Sequence, residues 1–249
     1  MLGTGTSQGV PVIACSCPVC RSLDFRDKRL RCSIYIEVDG ISLVVDTGPD
    51  FRQQMLRENI QRVDAILFTH QHKDHTAGLD DVRAFNFKQQ MDMPIYGRRE
   101  VMEQLKLEFS YIFSPIRYPG IPSVALFEIR NQAFAVGNTT VLPILVQHHT
   151  LSVFGFRIGN FTYITDANFI AEEEMAKLVG TEVLIINALK KEPHISHFSL
   201  AEALAVIARV QPRQAYITHL SHQMGSHAEV NRELPPNVAL AFDGLKFEL

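Results

Sequence analysis

The sequence lacks a strong charge of either sign: 24 Lys and Arg against 27 Asp and Glu leave a formal net charge of −3. Such a balance gives no general attraction to nucleic acid or to an anionic membrane. A polynucleotide is therefore not the first substrate expected, although a local basic patch is compatible with the balance. No apolar stretch approaches the roughly 18 residues of a membrane span. The start, Met1-Leu2-Gly3-Thr4-Gly5, shows neither the basic residues nor the apolar run of a leader. The expectation is a cytoplasmic protein with no membrane partner. Repeats, low-complexity tracts and Ser/Gly-rich linkers are missing too, and Gly and Pro are scattered, so one domain over residues 1–249 is expected. Cysteine is scarce. Four in a chain this long are too few for a disulfide framework, and three of them crowd together in Cys15-Ser16-Cys17-Pro18-Val19-Cys20. That crowding points to metal.

Among the elements that are legible, Ser33 to Val38 and Ile41 to Val45 are β-branched runs joined by Asp39-Gly40, a dipeptide suited to a type I′ hairpin. Phe51 to Glu58 has helical composition, and Val63 to Phe68 reads as a buried strand. Leu79 to Gln90 and Arg98 to Phe109 read as helices. Strand formers then fill Val124 to His148, with turn signals at Asn131 and Gly137-Asn138, and a second hairpin closes around Gly159-Asn160. A helix and strand rhythm follows in Ala171 to Leu178, Val183 to Ile186, Leu200 to Val210 and Ala215 to Thr218. Two packed β-sheets with helices outside, an α/β fold of the four-layered αβ/βα sandwich type, are expected.

The chemistry begins at His70-Gln71-His72-Lys73-Asp74-His75, directly after the predicted strand. Imidazole nitrogen and carboxylate oxygen are the usual ligands of a hydrolytic Zn²⁺. Four of them fall within six residues. With a bend, His70 and His72 face one metal, and Asp74 and His75 a second. An ordinary solvated loop seldom collects such a set. Two metals need more ligands, and His149, Asp166 and His219 each follow a predicted strand. A lone histidine is more often a satisfied core or surface residue, but three strand ends with ligand types shift that balance.

These residues resemble the metallo-β-lactamase superfamily, and within it the PhnP-like phosphodiesterases related to tRNase Z. The resemblance runs from Gly3-Thr4-Gly5-Thr6-Ser7-Gln8-Gly9-Val10-Pro11 through Asp46-Thr47-Gly48 and the histidine motif to Thr218-His219-Leu220-Ser221-His222 and Phe242-Asp243-Gly244. It implies the metallo-β-lactamase fold and two catalytic divalent metals, Zn or Mn. His70, His72 and His149 would hold the first metal and Asp74, His75 and His219 the second, with Asp166 bridging. His148 is the rival of His149. Counting back six residues from the glycine of Phe154-Gly155-Phe156 favours His149, and in a strand His148 would face the other way. Asp46 is expected to support the loop without touching metal, its plain alternative being a turn-capping residue.

The resemblance also implies a structural zinc on Cys15, Cys17, Cys20 and His222, closed and therefore not catalytic; unmetallated thiols are the alternative. Cys32 reads as a small buried hydrophobe. His197 resembles the histidine that protonates the leaving group, with His194 a nearby competitor and a plain surface histidine the bland alternative. A departing alkoxide needs that proton more than a thiolate does. Asp74 is expected to act catalytically as well, holding the hydroxide or His197. The implied enzyme hydrolyses a small or cyclic phosphodiester through a metal-bridged hydroxide.

Three rival functions stay open. A tRNA 3′-processing nuclease would favour a basic, flexible arm, and no Gly/Pro/Lys-rich insertion is present. A thioester or lactam hydrolase shares the ligands, and a non-catalytic metal-binding module shares them too. A homodimer is compatible with the chain. The strand that the family has before Gly3 is almost missing here. Arg83 and, within the 85–118 segment, Lys88, Tyr111, Phe113 and Arg117 are given no role.

Overall fold

The two-residue turn at Asp39-Gly40 adopts the left-handed backbone a type I′ hairpin requires, with φ of 51° and 76°. It joins β1 (Ile34–Val38) to β2 (Ile41–Val45) in the register Ile34↔Val45 to Val38↔Ile41. The computed structural model describes residues 1–116 and 118–249; Arg117 lies outside them. Next to β2 the strands β3 (Ala65–Leu67), β4 (Met93–Gly97) and β5 (Val124–Glu128) add in parallel, giving the sheet order β1-β2-β3-β4-β5.

The second sheet is built from β6 (Phe134–Val136), β7 (Thr139–His148), β8 (Leu151–Ile158), β9 (Phe161–Ile164), β10 (Phe169–Ile170), β11 (Val183–Asn187), β12 (Gln214–Thr218) and β13 (Val238–Leu240). Its order is β10-β7-β8-β9-β11-β12-β13, with β6 paired to β7. It is antiparallel from β10 to β9 and parallel from β9 to β13.

The helices are α1 (Pro18–Arg21), α2 (Phe51–Arg57), α3 (Lys73–Thr76), α4 (Arg83–Gln89), α5 (Arg99–Glu108), α6 (Glu172–Ala176), α7 (Leu200–Val210) and α8 (His227–Glu233). Phe51, Phe85 and Leu105 pack α2, α4 and α5 onto Val44, Ile66 and Ile95 of the first sheet. Met175, Ile207 and Val230 pack α6, α7 and α8 onto Ile164, Ile186 and Ile217 of the second. Between the sheets lie Leu43, Leu67, Phe156, Tyr163 and Ile185. The layers are thus helix, sheet, sheet, helix, the expected αβ/βα sandwich. β11 is buried on both faces, which is why it reads as an unbroken apolar run. Among the described residues no helix is long and apolar enough to cross a membrane.

Some elements differ from the sequence reading. The segment read as a single helix from Leu79 is a 3-10 turn, Leu79–Val82, followed by α4. β4, α8 and β13 were not legible: Pro94 and Gly97 mask the apolar pattern of β4, and α8 and β13 are short. Ahead of Gly5 the chain makes bridges instead of a strand, Gly3 to Ser33 and Gly5 to Arg31 and Leu220. Of the 85–118 segment, Phe85 and Ile112 are core residues, and Tyr111 hydrogen-bonds to Asp80.

Candidate metal centres

The ends of β2, β3, β7, β9 and β12 lie at one edge of the sandwich, and the chain leaves them with an unusual backbone. Asp46, Asp166 and His219 all have left-handed φ, 65°, 54° and 57°, a conformation uncommon outside glycine and concentrated at functional sites. Two glycines then bring the Asp46-Thr47-Gly48 loop against the histidine motif. A Cβ on Gly48 would sit 2.2 Å from the Asp74 carbonyl, and one on Gly78 would sit 2.2 Å from the Gly48 carbonyl. Thr47 N–H donates to the His75 carbonyl at 2.8 Å, and Gly78 N–H to the Thr47 carbonyl at 2.8 Å.

Asp46 organises the imidazoles. Its Oδ1 accepts from Thr69 N–H at 2.9 Å. Its Oδ2 accepts from the Thr69 hydroxyl at 2.8 Å and lies 2.7 Å from His75 Nδ1. Asp46, Thr69, His70 and His75 are all fully buried. His75 thus donates from Nδ1 and turns Nε2 inward. Because the Thr69 hydroxyl gives its proton to Asp46, it accepts from His70 Nδ1, 3.0 Å away, and Nε2 of His70 is turned inward as well. Asp46 thus holds one histidine directly and a second through Thr69.

The inward atoms form clusters. His70, His72 and His148 make one; Asp74, Asp166 and His219 another; His70, His75 and Asp166 a third that joins them; and His148, Asp166 and His197 a fourth. Within each, the donor atoms lie within 4.8 Å of one another. His70 Nε2 is 3.0 Å from His72 Nδ1. His75 Nε2 is 3.2 Å from Asp74 Oδ2 and 3.1 Å from Asp166 Oδ2, yet hydrogen-bonds to neither. Asp166 Oδ2 is also 3.2 Å from His219 Nδ1. A tetrahedral Zn²⁺ with N and O donors has ligand-to-ligand edges of about 3.3 Å. Donors at this spacing, buried except for the exposed His72 and the half-buried Asp74 and aimed past one another toward a common centre, fit divalent metal.

Electrostatics agree with that fit. Burial opposes charge on His75, but Asp166, Asp74 and Asp46 outweigh it and hold the imidazole well above its usual pKa. Burial would also raise the Asp166 carboxyl, but His219 and His75 hold it well below the carboxylate range. The site concentrates carboxylate charge that a cation would neutralise.

The histidine that the structure brings beside His70 and His72 is His148, not His149. β7 runs through His148, which pairs with Leu151, so His149 and Thr150 form the hairpin turn. His149 is exposed, has φ of 57°, and its backbone N–H donates to Asn168 Oδ1 at 2.8 Å. His148 is buried, and its Nδ1 donates to the Ser196 carbonyl at 2.7 Å, which leaves Nε2 as its acceptor. Its ring lies 5.7 Å from that of His70 and 5.3 Å from that of His72. Strand alternation misjudged the side chain because it has no hold on the last residue of a strand, where the chain turns.

His197 precedes α7, whose start is fixed by a capping box between Ser199 and Glu202. Its ring is buried, stacked on His219 at 4.8 Å and tilted against His148 at 4.6 Å. Its Nδ1 has no hydrogen-bond partner and faces Asp166 Oδ1 at 3.9 Å. Burial, then the charge on His219, pushes its pKa down to about 3. The carboxylate beside His197 is therefore Asp166; Asp74, expected there, lies against His75. His194, the competitor, is exposed.

Farther out, Cys17 caps α1, its Sγ accepting from Cys20 N–H at 3.4 Å. The sulfurs of Cys15, Cys17 and Cys20 lie 3.3, 3.4 and 3.6 Å from His222 Nδ1. A tetrahedral zinc site has an S-to-N edge of about 3.6 Å, from bonds of about 2.3 and 2.1 Å. These four residues fit such an ion. The Cys20 N–H and then His222 pull the Cys17 thiol down to about 6, while burial first of all pushes Cys20 up to about 11. Cys32 stands apart, buried, with its Sγ 3.3 Å from the Thr218 hydroxyl.

Asn187 went unnoticed in the sequence. Its amide accepts from Ala167 N–H at 2.8 Å and donates to the Ala167 carbonyl at 2.9 Å, fixing the turn after Asp166. The available signal was a polar residue closing the apolar run Val183-Leu184-Ile185-Ile186.

Comparison with known proteins places this geometry. The β-lactamase superfamily domain matches residues 42–220. A crystal structure described as a new diphosphatase from the PhnP family is 37% identical, covers 100% of this chain and 96% of its own, and superposes with a TM-score of 0.93. Zn²⁺-bound PqqB from Methylobacterium extorquens is 18% identical, covering 100% and 98% of the two chains with a TM-score of 0.79, and shares the fold. A curated octanoyltransferase of Porphyromonas gingivalis (strain ATCC BAA-308 / W83) is 37% identical over 249 residues, 99% of this chain. The chain spans only half the length of that protein. By its matched domain, its fold and its full-length likeness to a PhnP-family structure, the chain belongs to the metallo-β-lactamase superfamily of metal-dependent hydrolases, in its PhnP-like group.

Proposed function

We propose that the protein hydrolyses a small phosphodiester at a dinuclear centre, with His197 as the group that protonates the leaving oxygen. His70, His72 and His148 would hold one metal and Asp74, His75 and His219 the other, with Asp166 shared between them. When bound, such a pair supplies Lewis acidity to the phosphoryl oxygens and acidifies water. Cys15, Cys17, Cys20 and His222 would hold a third, structural zinc.

The observation that carries the choice of phosphodiester is the buried, unpartnered Nδ1 of His197 beside the ligand cluster. Cleavage of a phosphodiester expels an alkoxide, which needs a proton in the transition state; a thiolate does not. His197 is neutral in the free site. An anionic diester entering beside it provides the partner that Nδ1 lacks and raises its affinity for a proton. The relative described as a diphosphatase acts, by that description, on phosphate chemistry and supports the same reading.

The test compares His197→Ala on two diesters, one with a 4-nitrophenolate leaving group and one with an alkyl leaving group. A general acid contributes roughly 10²–10⁴-fold, and that loss should fall mainly on the alkyl ester. Equal losses on both, or wild-type turnover of thioesters but of neither diester, would remove the assignment.

A further inference from the structure

Two of the three clustered thiols reach solvent: Cys15 and Cys17 are half-buried, while Cys20 is buried. Their sulfurs lie within 4.8 Å of one another. A disulfide also needs the two backbones near each other, with side chains leaving them in the same direction. Cys17 and Cys20 meet that condition. They are three residues apart in one turn, so their side chains share a face. Cys17 Sγ already accepts from Cys20 N–H at 3.4 Å. Cys15 and Cys17 have only Ser16 between them, and the smaller ring they would close is more strained.

These thiols hold down a long excursion of the chain. Its base is closed by Val10 and Arg29, whose N–H groups donate to each other's carbonyls at 2.9 and 2.7 Å. Near its end, Asp27 Oδ1 accepts from His227 N–H at 2.7 Å, and the Phe25 ring meets that of Phe242 edge-on at 5.8 Å. Its tip meets the body at His222, through the three sulfurs. Val12 N–H and Lys28 Nζ are spent inside the excursion, on the Cys20 sulfur and the Cys20 carbonyl. The metal ligand His219 lies three residues before His222, yet the chain between them is fixed without the thiols. Leu220 N–H donates to the Thr4 carbonyl at 2.9 Å, Thr6 N–H to the Leu220 carbonyl at 3.0 Å, and Ser221 N–H to the Leu189 carbonyl at 3.0 Å.

Resting on the structural-zinc reading, we propose that Cys17 and Cys20 are an oxidant-sensitive pair, which a hydroperoxide converts to a disulfide. The structural zinc is then released and residues 11–24 loosen, while the dinuclear centre keeps its metals. The Cys17 thiolate attacks a peroxide oxygen, breaking the O–O bond to give a sulfenic acid and hydroxide. The Cys20 thiolate attacks that sulfur and expels a second hydroxide. Two thiolates thus lose two electrons, and one peroxide is reduced to two hydroxide ions. Only Cys15 and His222 remain for the ion, two ligands where a closed tetrahedral site needs four.

Zinc-loaded protein is treated with hydrogen peroxide, released zinc is followed with a chromophoric chelator, and disulfides are mapped by mass spectrometry. One zinc ion and two of the four thiols should be lost per chain. Cys32, buried with its Sγ 3.3 Å from the Thr218 hydroxyl, should stay reduced. Trypsin should then cut after Arg21 about tenfold faster or more, because proteolysis tracks the population of the opened segment. Dithiothreitol with zinc should reverse both changes. Cys15→Ser should still form the disulfide, and Cys20→Ser should leave on Cys17 a sulfenic acid that dimedone captures. A disulfide through Cys15, loss of all the zinc together, or unchanged cleavage after Arg21 overturns the proposal. Untreated protein with no zinc beyond the dinuclear pair would end the structural-zinc reading, while the disulfide map would still decide whether Cys17 and Cys20 pair.

Discussion

Replacing Asp46 by Asn tests how the first histidines are held. Asp46 accepts three hydrogen bonds at 2.7–2.9 Å, from Thr69 N–H, the Thr69 hydroxyl and His75 Nδ1. Asn is nearly isosteric and tolerates the left-handed backbone at this position, φ 65°. It has one acceptor where the carboxylate has two. If its oxygen stays on Thr69 N–H, its NH₂ faces His75 Nδ1. If it flips, the NH₂ faces a backbone proton that cannot move. The imidazole proton can: metal binding takes the proton from His75 Nε2, the nitrogen aimed at Asp74 and Asp166, and would leave the other on Nδ1 facing that NH₂. The metal-bound form would then lack the charge-assisted hydrogen bond that Asp46 gives it, about 1.5–3 kcal/mol.

That cost corresponds to roughly 10–100-fold in metal affinity, the usual effect of removing an outer partner of a ligating histidine. The assay is competition between metal-free protein and a chromophoric chelator, with thermal unfolding as control. Asp46→Ala separates the two effects. It leaves Thr69 N–H and His75 Nδ1 without their partner, at about 1–3 kcal/mol each in stability, but sets no NH₂ against the Nδ1 proton. Wild-type metal affinity in Asp46→Asn, with an unchanged melting temperature, would refute the reasoning.

Other perturbations follow from the same geometry. His148→Ala should remove measurable metal from the active centre and lower turnover by at least about 10²-fold, while the exposed turn residue His149→Ala should stay within about twofold of wild type; the reverse order, by metal analysis and kinetics, would restore the sequence assignment. Cys20→Ser should reduce the bound metal by one equivalent and lower the melting temperature by several degrees, since Val12 N–H, Cys17 and His222 all converge on that sulfur or its cluster. His227, buried against Arg29, is pushed down to about 4 by burial first and then by Arg29. Its neutral form is the one that folds, so its contribution is full above the unfolded value of about 6.5 and is lost as pH falls toward 4, by ~2 kcal/mol. His227→Gln should flatten the difference in melting temperature between those two pH values, and an unchanged slope would exclude this source.

How much was legible depends on the range of the interaction. The Asp39-Gly40 hairpin, the helix from Leu200 to Val210 and the strand before His70 are local patterns, and they were read correctly from neighbouring residues. His70, His72, Asp74 and His75 share one loop, so spacing alone brought them together. His148 stood only as the rival of His149 because the choice between them turns on where β7 stops, and the Leu151 pairing that stops it belongs to β8. Asp166, not Asp74, faces His197 for the same kind of reason: the two meet only when the ends of β9 and the loop before α7 are adjacent.

The sequence by itself determined the fold class and the donor inventory, because apolar periodicity and clustered His, Cys and Asp are properties of short segments. Tertiary structure decided the orientation of the donors. Nδ1 of His75 is committed to Asp46, that of His70 to Thr69 and that of His148 to Ser196, and these partners lie 29, 1 and 48 residues away. Each leaves an inward nitrogen only because a carboxylate, a hydroxyl or a backbone carbonyl, respectively, accepts the other proton. Spacing in the chain can name a ligand, but a tautomer depends on partners that only the closed fold brings within 3 Å.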